Sequence, residues 1–380
     1  MDLVAGRVYS DERRPIRHVD PVLILVTLAL AVVGLLSIYS STHRSLTALN
    51  ADPMTFVKKQ VTALVLGMLL LLLIATFDYR FFKVYAGFIY GATVLALVLV
   101  RVPGIGSSAL GAQRWFAFAG FQVTPSEFAK VALAVMLAAM LSELRHPIPL
   151  LTDVARLCIV AGIPTFLVFI QPDIGTTIVL VAIVVGILVV AGTRLRHLVA
   201  LAVVAVILIF AGFQLGVIKD YQLARLTGFL DPQHDSRTTN YNRNQAIIAV
   251  GSGGLFGRGY LGGTQTNLDF VPEQHTDFIF TVIGEEFGFV GAVFVLTLFA
   301  ILIWRAIRIS YLSKDPFGSY LAAGIGAMLA IQMFVNIGMV IGIMPITGIP
   351  LPLVSYGGSS MIANCIAIGL LLNVHMRRFK

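Results

Sequence analysis

The feature that most constrains this fold is a succession of apolar runs, each about as long as a membrane-spanning helix. Hydrophobic residues make up 58% of the 380-residue chain and charged residues only 12%, whereas a soluble domain carries about 25% charged residues. Runs of about 20 residues favour helices over barrel strands, which alternate over about 10 residues. We therefore predict an all-α polytopic membrane protein with about ten transmembrane helices. The predicted spans are 21–40, 61–77, 84–100, 126–142, 154–170, 175–192, 198–217, 278–304, 320–343 and 354–374.

The distribution of basic residues predicts how these helices are oriented. An even number of spans places both termini on one side. The loops on that side carry fifteen Lys and Arg residues, against five in the short loops opposite. Because basic loops stay in the cytoplasm, we predict that both termini are cytoplasmic. The chain then has a cytoplasmic tail over 1–20 and a single transmembrane domain over 21–380. That domain includes a large extracytoplasmic loop, 218–277, between helices 7 and 8.

Other sequence features bear on the class of function. The net charge of +8 belongs to membrane orientation, and no basic block interleaved with aromatic residues indicates nucleic acid binding. Cys158 and Cys365 lie inside apolar runs and are predicted to be buried thiols. The glycine-rich stretch 251–263 lacks the GxxxxGK[ST] spacing of a nucleotide P-loop. It is explained either as a flexible surface loop or as ligand-facing turns.

Two further segments are unusual for connections between membrane helices. The segment 101–125 is glycine-rich, and its aromatic cluster is predicted to lie at the depth of the lipid headgroups. The segment 344–358 carries three prolines and three glycines yet is too apolar for a free loop. We predict that it re-enters the membrane against protein, where irregular backbone is tolerated.

The stretch Asp269–Gly288 places acidic residues at the mouth of an apolar run. Four acids and His275 fall within seventeen residues, and Asp277 opens a run that continues to Trp304. A carboxylate in this position loses part of its hydration, and such residues are usually functional. Asp277 is equally explained as the N-cap of the helix. Glu285, eight residues further on, is predicted to lie near the same helix face.

Charged residues mark three other predicted helix mouths. Glu127 and Lys130 are spaced i,i+3 in PSEFAKVALA and share one helix face. They form either a self-neutralising interfacial ion pair or a charged pair lining a cavity, where Lys130 can contact a phosphate. Asp173 in QPDIGT fits an N-cap as well as a cavity position. Arg114 and Lys59 add positive charge on the same side, although each is also explained as an interfacial snorkelling residue. Together these residues predict one polar chamber.

Long motifs, in order along almost the whole chain, resemble those of the SEDS family (shape, elongation, division, sporulation), and within it the RodA branch. TNLDFVPEQHTDFIF is more similar to this elongation branch than to the division branch, FtsW. Two features depart from the family pattern: Lys59 stands where Arg is more common, and DSRTTNYNR at 235–243 differs. The matching motifs are FVKKQ (56–60), GAQRWF (111–116), QVTPSEFAK (122–130), QPDIGTT (171–177), FLDP (229–232), NQAIIAVGSGGLFGRG (244–259), FVPEQHTDFIFTVIGEEFGFVG (270–291) and GIPLPLVSYGGSS (348–360).

The resemblance implies a fold similar to GT-C glycosyltransferases and a peptidoglycan glycosyltransferase activity. Such an enzyme polymerises lipid II into glycan strands at the outer face of the bacterial cytoplasmic membrane, releasing undecaprenyl pyrophosphate, for cell elongation and rod shape. Asp277 is implied as the essential acid, acting as general base or as ligand of a divalent cation, Mg²⁺ or Mn²⁺; no other cofactor is expected. The implied cavity or substrate-binding residues are Glu127, Lys130, Arg114, Asp173, Lys59, His275 and Glu285.

The resemblance also implies partners, and it leaves rival functions open. The expected partners are lipid II and lipid-linked glycan, membrane lipid, a class B penicillin-binding protein transpeptidase and other proteins of the elongation complex. A lipid II flippase would use the same cavity without a base, and it predicts charges that span the bilayer depth. A division-branch polymerase would run the same reaction at the septum. A scaffold that only recruits a partner is disfavoured by the acids at the helix mouths.

Overall fold

The computed structural model describes residues 18–104, 106–109, 112–118, 121–144, 146, 148–214, 239–268, 270 and 272–378. The helices are α1 (Pro21–Ala48), α2 (Thr55–Thr76), α3 (Tyr79–Val84), α4 (Ala86–Leu99), α5 (Pro125–Ser142), α6 (Leu151–Ile170), α7 (Ile174–Val190), α8 (Leu195–Gln214), α9 (Thr239–Ser252), α10 (Thr264–Asn267), α11 (Ile279–Leu312), α12 (Pro316–Val340) and α13 (Gly358–Arg377). The strands are β1 (Ser107–Ala109), β2 (Ala112–Phe118) and β3 (Phe121–Val123). Most of the tail 1–20 and the part of the loop 218–277 before residue 239 lie outside the described residues.

The apolar helices confirm the predicted fold class. Over the described residues, seven helices are long and apolar enough to cross a membrane, and α4, α7 and α8 are shorter apolar helices. These ten helices coincide with the ten predicted spans. Several of them extend further than predicted, most of all α1 (to Ala48), α2 (from Thr55) and α11 (to Leu312), because hydrogen bonding within a helix continues past its most apolar stretch.

Successive apolar helices run in opposite directions, and this alternation defines two ends of the bundle. Arg114 contacts Gln171 across one end, and Tyr79 contacts Asp315 across the other. The Asp277 end comprises the described residues of 49–54, 100–124, 171–173, 239–278 and 341–357. The Asp20 end comprises the described residues of 18–20, 77–85, 143–150, 191–194 and 313–315.

The centre of the bundle is formed by α5, α12 and α13, which are more extensively buried than the other long helices. Small residues bring their neighbours close to them. A Cβ atom on Gly369 of α13 would lie 3.0 Å from Leu71 Cα of α2, and one on Gly186 of α7 would lie 2.4 Å from Ala327 Cβ of α12. Small residues at such positions let helix backbones approach closely. In lipid, where apolar side chains gain little by leaving the solvent, this close van der Waals packing holds the helices together.

A break at Gly288 divides α11 into two parts. Gly288 has φ 65° and ψ −158°, a region of backbone conformation that is open in practice only to glycine. The glycine-rich segment closes the break. Glu285 O and Glu286 O accept hydrogen bonds from Arg258 N and Gly259 N, both at 3.0 Å. In the other direction, Phe289 N and Val290 N donate to Gly254 O (2.9 Å) and Leu255 O (3.1 Å).

The segment 101–125 contains a three-stranded antiparallel meander, which the sequence analysis did not predict. The strand order is β1-β2-β3, with Ser107 opposite Trp115 and Phe116 opposite Val123. The aromatic residues of AQRWFAF favour a strand. The meander leads directly into α5, and it is joined to the start of α13 because Ser359 Oγ donates to Gln122 O at 3.0 Å and accepts from Thr124 N at 3.0 Å.

Buried polar residues join the helices at the Asp20 end. Asp20 caps α1 by accepting from Val22 N (3.1 Å) and Leu23 N (3.2 Å), and its other oxygen accepts from Arg305 Nε of α11 at 2.7 Å. Asp20 was predicted to belong to the polar tail, but its side chain is fully buried. Asn373 of α13 closes the end of α2, where its Nδ2 donates to Phe77 O at 2.8 Å. A carboxylate is tolerated here because it is both paired and hydrogen-bonded.

Candidate active site

The segment 341–357 joins α12 to α13 and lies at the centre of the Asp277 end. It has no regular secondary structure, and most of its apolar side chains from Ile349 to Val354 are buried. Val354 packs against α1, where a Cβ atom on Gly34 would lie 2.5 Å from Val354 O. The predicted combination of irregular backbone and burial against protein is therefore observed. The surrounding helices satisfy its backbone groups, as membrane-embedded irregular segments require.

Asp277 lies at the end of a turn, one residue before the N-cap position of α11. Phe278 occupies that position, so Asp277 is not the N-cap residue. The carboxylate lies against the irregular segment, since a Cβ atom on Gly348 would be 3.3 Å from Asp277 Oδ2. Gly348 has φ 74°, a conformation that favours glycine. The carboxylate of Asp277 therefore contacts backbone at this point and meets no side chain. Asp277 itself is half-buried.

Two amides inside membrane helices hold the frame around Asp277. Asn336 of α12 is fully buried, and its Nδ2 donates to Asp277 O at 2.8 Å and to Ile349 O at 2.7 Å. Gln60 of α2 donates from Nε2 to Ser355 O, and its Oε1 accepts from Gly357 N, both at 3.1 Å. Each amide joins main-chain groups that lack a regular ladder, so the backbone around Asp277 is fixed from two helices.

His275 lies in an aromatic cluster next to this frame. Its ring centroid is 4.8 Å from that of Phe56 and 5.5 Å from that of Tyr356. Its main-chain oxygen accepts from Tyr356 N at 2.9 Å. His275 thus packs the turn before Asp277 against α2 and the irregular segment. Its predicted role in a cavity remains a prediction.

Glu127 and Lys130 form a buried ion pair at the start of α5. Lys130 Nζ lies 2.7 Å from Glu127 Oε2, and the two side chains are 2% and 9% exposed. The i,i+3 spacing brings the groups together as the sequence predicted. Because both side chains are buried, the pair is not an ion pair at the interface that is open to water. The pair is tolerated because each charge neutralises the other.

Arg114 and Asp173 both act on the turn between α6 and α7. Arg114 of β2 donates from Nε to Gln171 O at 2.6 Å and from Nη2 to Pro172 O. Asp173 is the N-cap of α7, accepting from Thr176 N at 3.0 Å and from Thr176 Oγ1 at 2.9 Å. The capping explanation of Asp173 is therefore correct. Arg114 supplies positive charge to the carbonyl end of α6, where it complements the helix dipole.

Lys59 lies at the start of α2 and is exposed. Its neighbour Lys58 pairs with Asp52 at 2.5 Å on the outside of the bundle. This hydrogen bond from Lys58 and one from Met54 N hold the pKa of Asp52 below its usual value. Lys59 is an exposed positive charge at the rim of the Asp277 end.

Glu285 and Glu286, which precede the break in α11, accept hydrogen bonds from other parts of the chain. Glu285 Oε1 accepts from Gln265 N at 2.8 Å, and Oε2 accepts from Thr266 N at 3.0 Å and Thr266 Oγ1 at 2.8 Å. Glu286 accepts from Ser40 Oγ of α1. Both side chains are almost completely buried. Glu285 therefore binds the start of α10, which differs from its predicted place beside Asp277 in an open cavity.

A comparison with protein-family models shows the family of this chain. The model of the FtsW/RodA/SpoVE family, described as cell cycle protein, matches residues 21–380. The chain belongs to this family. The matched region includes every described transmembrane helix and all the site residues named above.

Curated SEDS relatives carry names from several branches of the family. The chain is 37% identical to the probable peptidoglycan glycosyltransferase FtsW of Geobacter metallireducens, over 96% of each chain. It is 37% identical to stage V sporulation protein E of Bacillus subtilis, over 93% of this chain and 96% of that one. It is 36% identical to the peptidoglycan glycosyltransferase MrdB of Escherichia coli K12, over 95% and 94%. These nearly equal identities do not separate the branches.

Solved structures of SEDS proteins share the fold. A chain of a peptidoglycan synthase complex, described as coordinating polymerization and crosslinking, matches with a TM-score of 0.79, 30% identity and coverage of 95% of this chain and 99% of that chain. The rod shape determining protein RodA of Thermus thermophilus matches with a TM-score of 0.69 at 30% identity, over 95% and 98%.

The possible metal ligands around Asp277 supply only part of the coordination that a hard divalent cation needs. Within the part of the chain that the structure describes, no group of three or more His, Cys, Asp and Glu side chains could hold a metal ion. The carboxylate of Asp277 is a suitable oxygen ligand, and the buried Asn336 Oδ1 makes no hydrogen bond to any described residue. Mg²⁺ is commonly held by one or two carboxylates together with substrate phosphates. A cation here therefore requires oxygen ligands from the substrate.

Sequence reasoning missed Asn336 and Gln60, although a signal for both was present. Each is an amide close to or inside an apolar span, where an unsatisfied polar group costs several kcal/mol, on the order of a lost hydrogen bond in hydrocarbon. Such residues are kept where they satisfy irregular backbone. Treating amides in spans with the same attention as charges would have identified both.

Proposed function

We propose that this SEDS protein is a peptidoglycan glycosyltransferase that polymerises lipid II into glycan strands and releases undecaprenyl pyrophosphate. The relatives named as peptidoglycan glycosyltransferases support this activity. The observation that carries it is the position of Asp277. Its carboxylate is outside the N-cap position and lies against a side-chain-free backbone, while its own main chain is held by Asn336. A preorganised carboxylate of this kind suits proton abstraction or cation binding.

Inverting transfer needs two things from the protein. The acceptor 4-hydroxyl of GlcNAc must lose its proton, and the pyrophosphate leaving group must be neutralised. Asp277 accepts the proton from the acceptor hydroxyl. A bound Mg²⁺ or Mn²⁺ would be held by the Asp277 carboxylate with pyrophosphate oxygens, and it would supply charge neutralisation to the leaving group.

Lys130 and Lys59 serve the pyrophosphate in this proposal. Lys130 is paired with Glu127 in the resting protein, so Glu127 fixes the ammonium group and offsets its burial. Lys59 is exposed at the same end of the bundle and can follow a mobile lipid-linked substrate. Arg114 and Asp173 act indirectly, because they hold the turn at 171–173 and the start of α7. Gly175 of that first turn packs against Thr347 and Ile349 of the irregular segment.

The Asp277 end faces the outside of the cytoplasmic membrane in this proposal. The basic residues of the loops support it, since those of the Asp20 end outnumber those of the short loops opposite. Both termini are then cytoplasmic, and the active site is extracytoplasmic, where lipid II is polymerised. All the intramembrane charges proposed to act on substrate lie at this one end, whereas a flippase would need polar groups through the bilayer depth.

We further infer that the enzyme belongs to the elongation branch and works with a class B penicillin-binding protein transpeptidase. The branch rests on TNLDFVPEQHTDFIF, and the partner is suggested by the solved peptidoglycan synthase complex that this chain resembles. Complementation separates the branches: expression should restore rod shape to cells lacking the elongation polymerase, and not division to cells lacking FtsW. Co-purification should retain the transpeptidase, and full activity without it would contradict the pairing.

The experiment that tests the activity uses purified protein, with its partner, in vesicles containing labelled lipid II. We expect uncrosslinked glycan polymer that grows with time and is digested by a muramidase. Movement of lipid II between leaflets without polymer would identify a flippase. Neither polymer nor movement, in a complex that still contains the partner, would favour the scaffold.

A further inference from the structure

A cleft opens at the Asp20 end of the bundle, at the opposite end from Asp277. It lies between the first turns of α6 and α8 and has a volume of about 550 Å³. The residues of its wall that matter here are Leu150, Leu151, Arg194, Arg196 and His197. None of these belongs to the proposed active site. The wall thus combines apolar side chains with three nitrogen-bearing ones.

The charged side of the cleft has an excess of positive charge. Arg194 and Arg196 are exposed, and neither guanidinium makes a hydrogen bond or an ion pair with a residue that the structure describes. The acid in the first turn of α6, Asp153, accepts from Leu150 N at 2.9 Å and caps its own helix. Two uncompensated guanidinium groups at one cleft are suited to an anion with several oxygen acceptors, such as a phosphate.

A third polar group in the cleft also lacks a hydrogen-bond partner among the described residues. His197 Nδ1 is buried and makes no hydrogen bond to any residue of the described ranges. A buried polar atom without a partner costs free energy, and a ligand that supplies an acceptor or donor removes this cost. The helices α6 and α8 both begin here and are each 20 residues long. Their N-terminal dipoles add to the preference for an anion.

The apolar side of the cleft continues onto the outer surface of the bundle. Leu151, Leu195 and Val199 are 59%, 75% and 53% exposed. In a polytopic membrane protein, such side chains face acyl chains. A free phosphate would leave this rim without a partner, whereas a phospholipid would occupy the charged cleft and the apolar rim together.

We propose that this cleft binds one anionic phospholipid. Its phosphodiester lies between Arg194 and Arg196 and reaches His197, and its acyl chains run along Leu195 and Val199. The bound lipid joins the start of α6 to the start of α8. It stabilises α8, whose outer face carries exposed apolar side chains from Leu195 to Phe210.

Native mass spectrometry of the complete protein tests this site. Wild type, Arg194→Gln/Arg196→Gln and Arg156→Gln are titrated with dioleoylphosphatidylglycerol or dioleoylphosphatidylcholine. Arg156 is the matched control, because it is an exposed arginine of α6 that does not line the cleft. Each arginine near an anionic headgroup contributes about fivefold in affinity, so we expect about 25-fold weaker binding of phosphatidylglycerol to the double variant. Arg156→Gln should stay near wild type, and phosphatidylcholine should bind weakly to all three proteins.

Three outcomes would overturn the proposal. They are equal binding of both lipids to wild type, unchanged binding by the double variant, and equal losses in the double variant and in Arg156→Gln, which would indicate diffuse surface charge. Inorganic phosphate in large excess should not displace the lipid; displacement would assign the cleft to a free anion.

A second measurement needs no variant and covers the case in which the double variant fails to fold. Photoactivatable phosphatidylglycerol is crosslinked to wild type in vesicles, and the modified peptides are mapped. Modification should concentrate at 150–152 and 195–200. A label concentrated on α2 or α11 instead would refute the site.

Discussion

The side-chain amide of Asn336 lies 2.8 Å from the main-chain oxygen of Asp277, and the same nitrogen lies 2.7 Å from Ile349 O. One residue of α12 thus fixes both the turn that carries the proposed base and the irregular segment that its carboxylate contacts. Its role is positional, because it binds main-chain atoms and not the carboxylate.

Asn336→Leu should therefore reduce both stability and polymerisation. The substitution removes the amide donor from Ile349 O, which is buried, and from Asp277 O, which is partly buried; a buried carbonyl without a donor costs about 1–3 kcal/mol. Gln332→Leu is the matched control, since Gln332 is fully buried one turn earlier and its amide makes no hydrogen bond to any described residue. We expect Gln332→Leu to be neutral or stabilising. Thermal unfolding in detergent and rates of lipid II polymerisation measure the two effects, and equal behaviour of the two variants would reject the bridge.

Asp277→Asn should abolish polymerisation while the protein still folds. Asparagine preserves the size of the side chain, but it is neutral and cannot accept a proton or replace a carboxylate ligand. Removing a general base costs about 10²–10⁴-fold in rate. Polymer is measured on labelled lipid II, and lipid II binding and melting are measured on the same preparation. Asp52→Asn is the control, because Asp52 is an exposed carboxylate at the same end. A near wild-type rate for Asp277→Asn would remove Asp277 from the mechanism.

Glu127 and Lys130 should behave as one unit in a double-mutant cycle. Each single variant, Glu127→Gln or Lys130→Met, leaves a buried charge without its partner, which typically costs about 3–5 kcal/mol. The double variant removes both charges, so its loss of stability should be smaller than the sum of the single losses. Chemical or thermal unfolding measures the stability part. Strictly additive losses would mean that the 2.7 Å contact carries no coupling.

Gly288→Ala should destabilise the protein. Its φ of 65° and ψ of −158° cost about 1–3 kcal/mol for another residue, and the new Cβ would lie 2.3 Å from Gly257 N. Gly162→Ala in α6 is the comparison, because a Cβ there meets nothing within 4 Å and alanine favours a helix. We expect a lower melting temperature for Gly288→Ala only. An unchanged value would show that the break tolerates a side chain.

The proposed orientation predicts which cysteines are labelled from outside. In a Cys158→Ala background, Ala51→Cys places an exposed thiol at the Asp277 end, and Thr152→Cys places one at the Asp20 end. An impermeant maleimide should label Ala51→Cys in intact cells and label Thr152→Cys only after permeabilisation. The reverse pattern would invert the protein and put the proposed active site inside.

The spans could be predicted because each depends on its own apolar residues. The break at Gly288 could not be predicted. The carbonyl groups before it accept hydrogen bonds from Arg258 N and Gly259 N, and local sequence does not encode these contacts. The glycine-rich stretch was explained as either mobile or ligand-facing, and part of it instead completes a helix. At the site, the contact between Glu127 and Lys130 followed from their spacing. The separation of Glu285 from Asp277 did not, because helical periodicity from Asp277 assumes a helix that begins only at Ile279.

The break in α11 has a mechanical consequence. Four main-chain hydrogen bonds join the residues on its two sides to the segment 254–259, and Glu285 adds its bonds to residues 265 and 266. The segment therefore braces the break, because it is bonded to residues before and after Gly288 and fixes the angle between the two parts of α11. Asp277 lies just before the first part. The angle held by this brace thus sets where Asp277 lies relative to the rest of the helix.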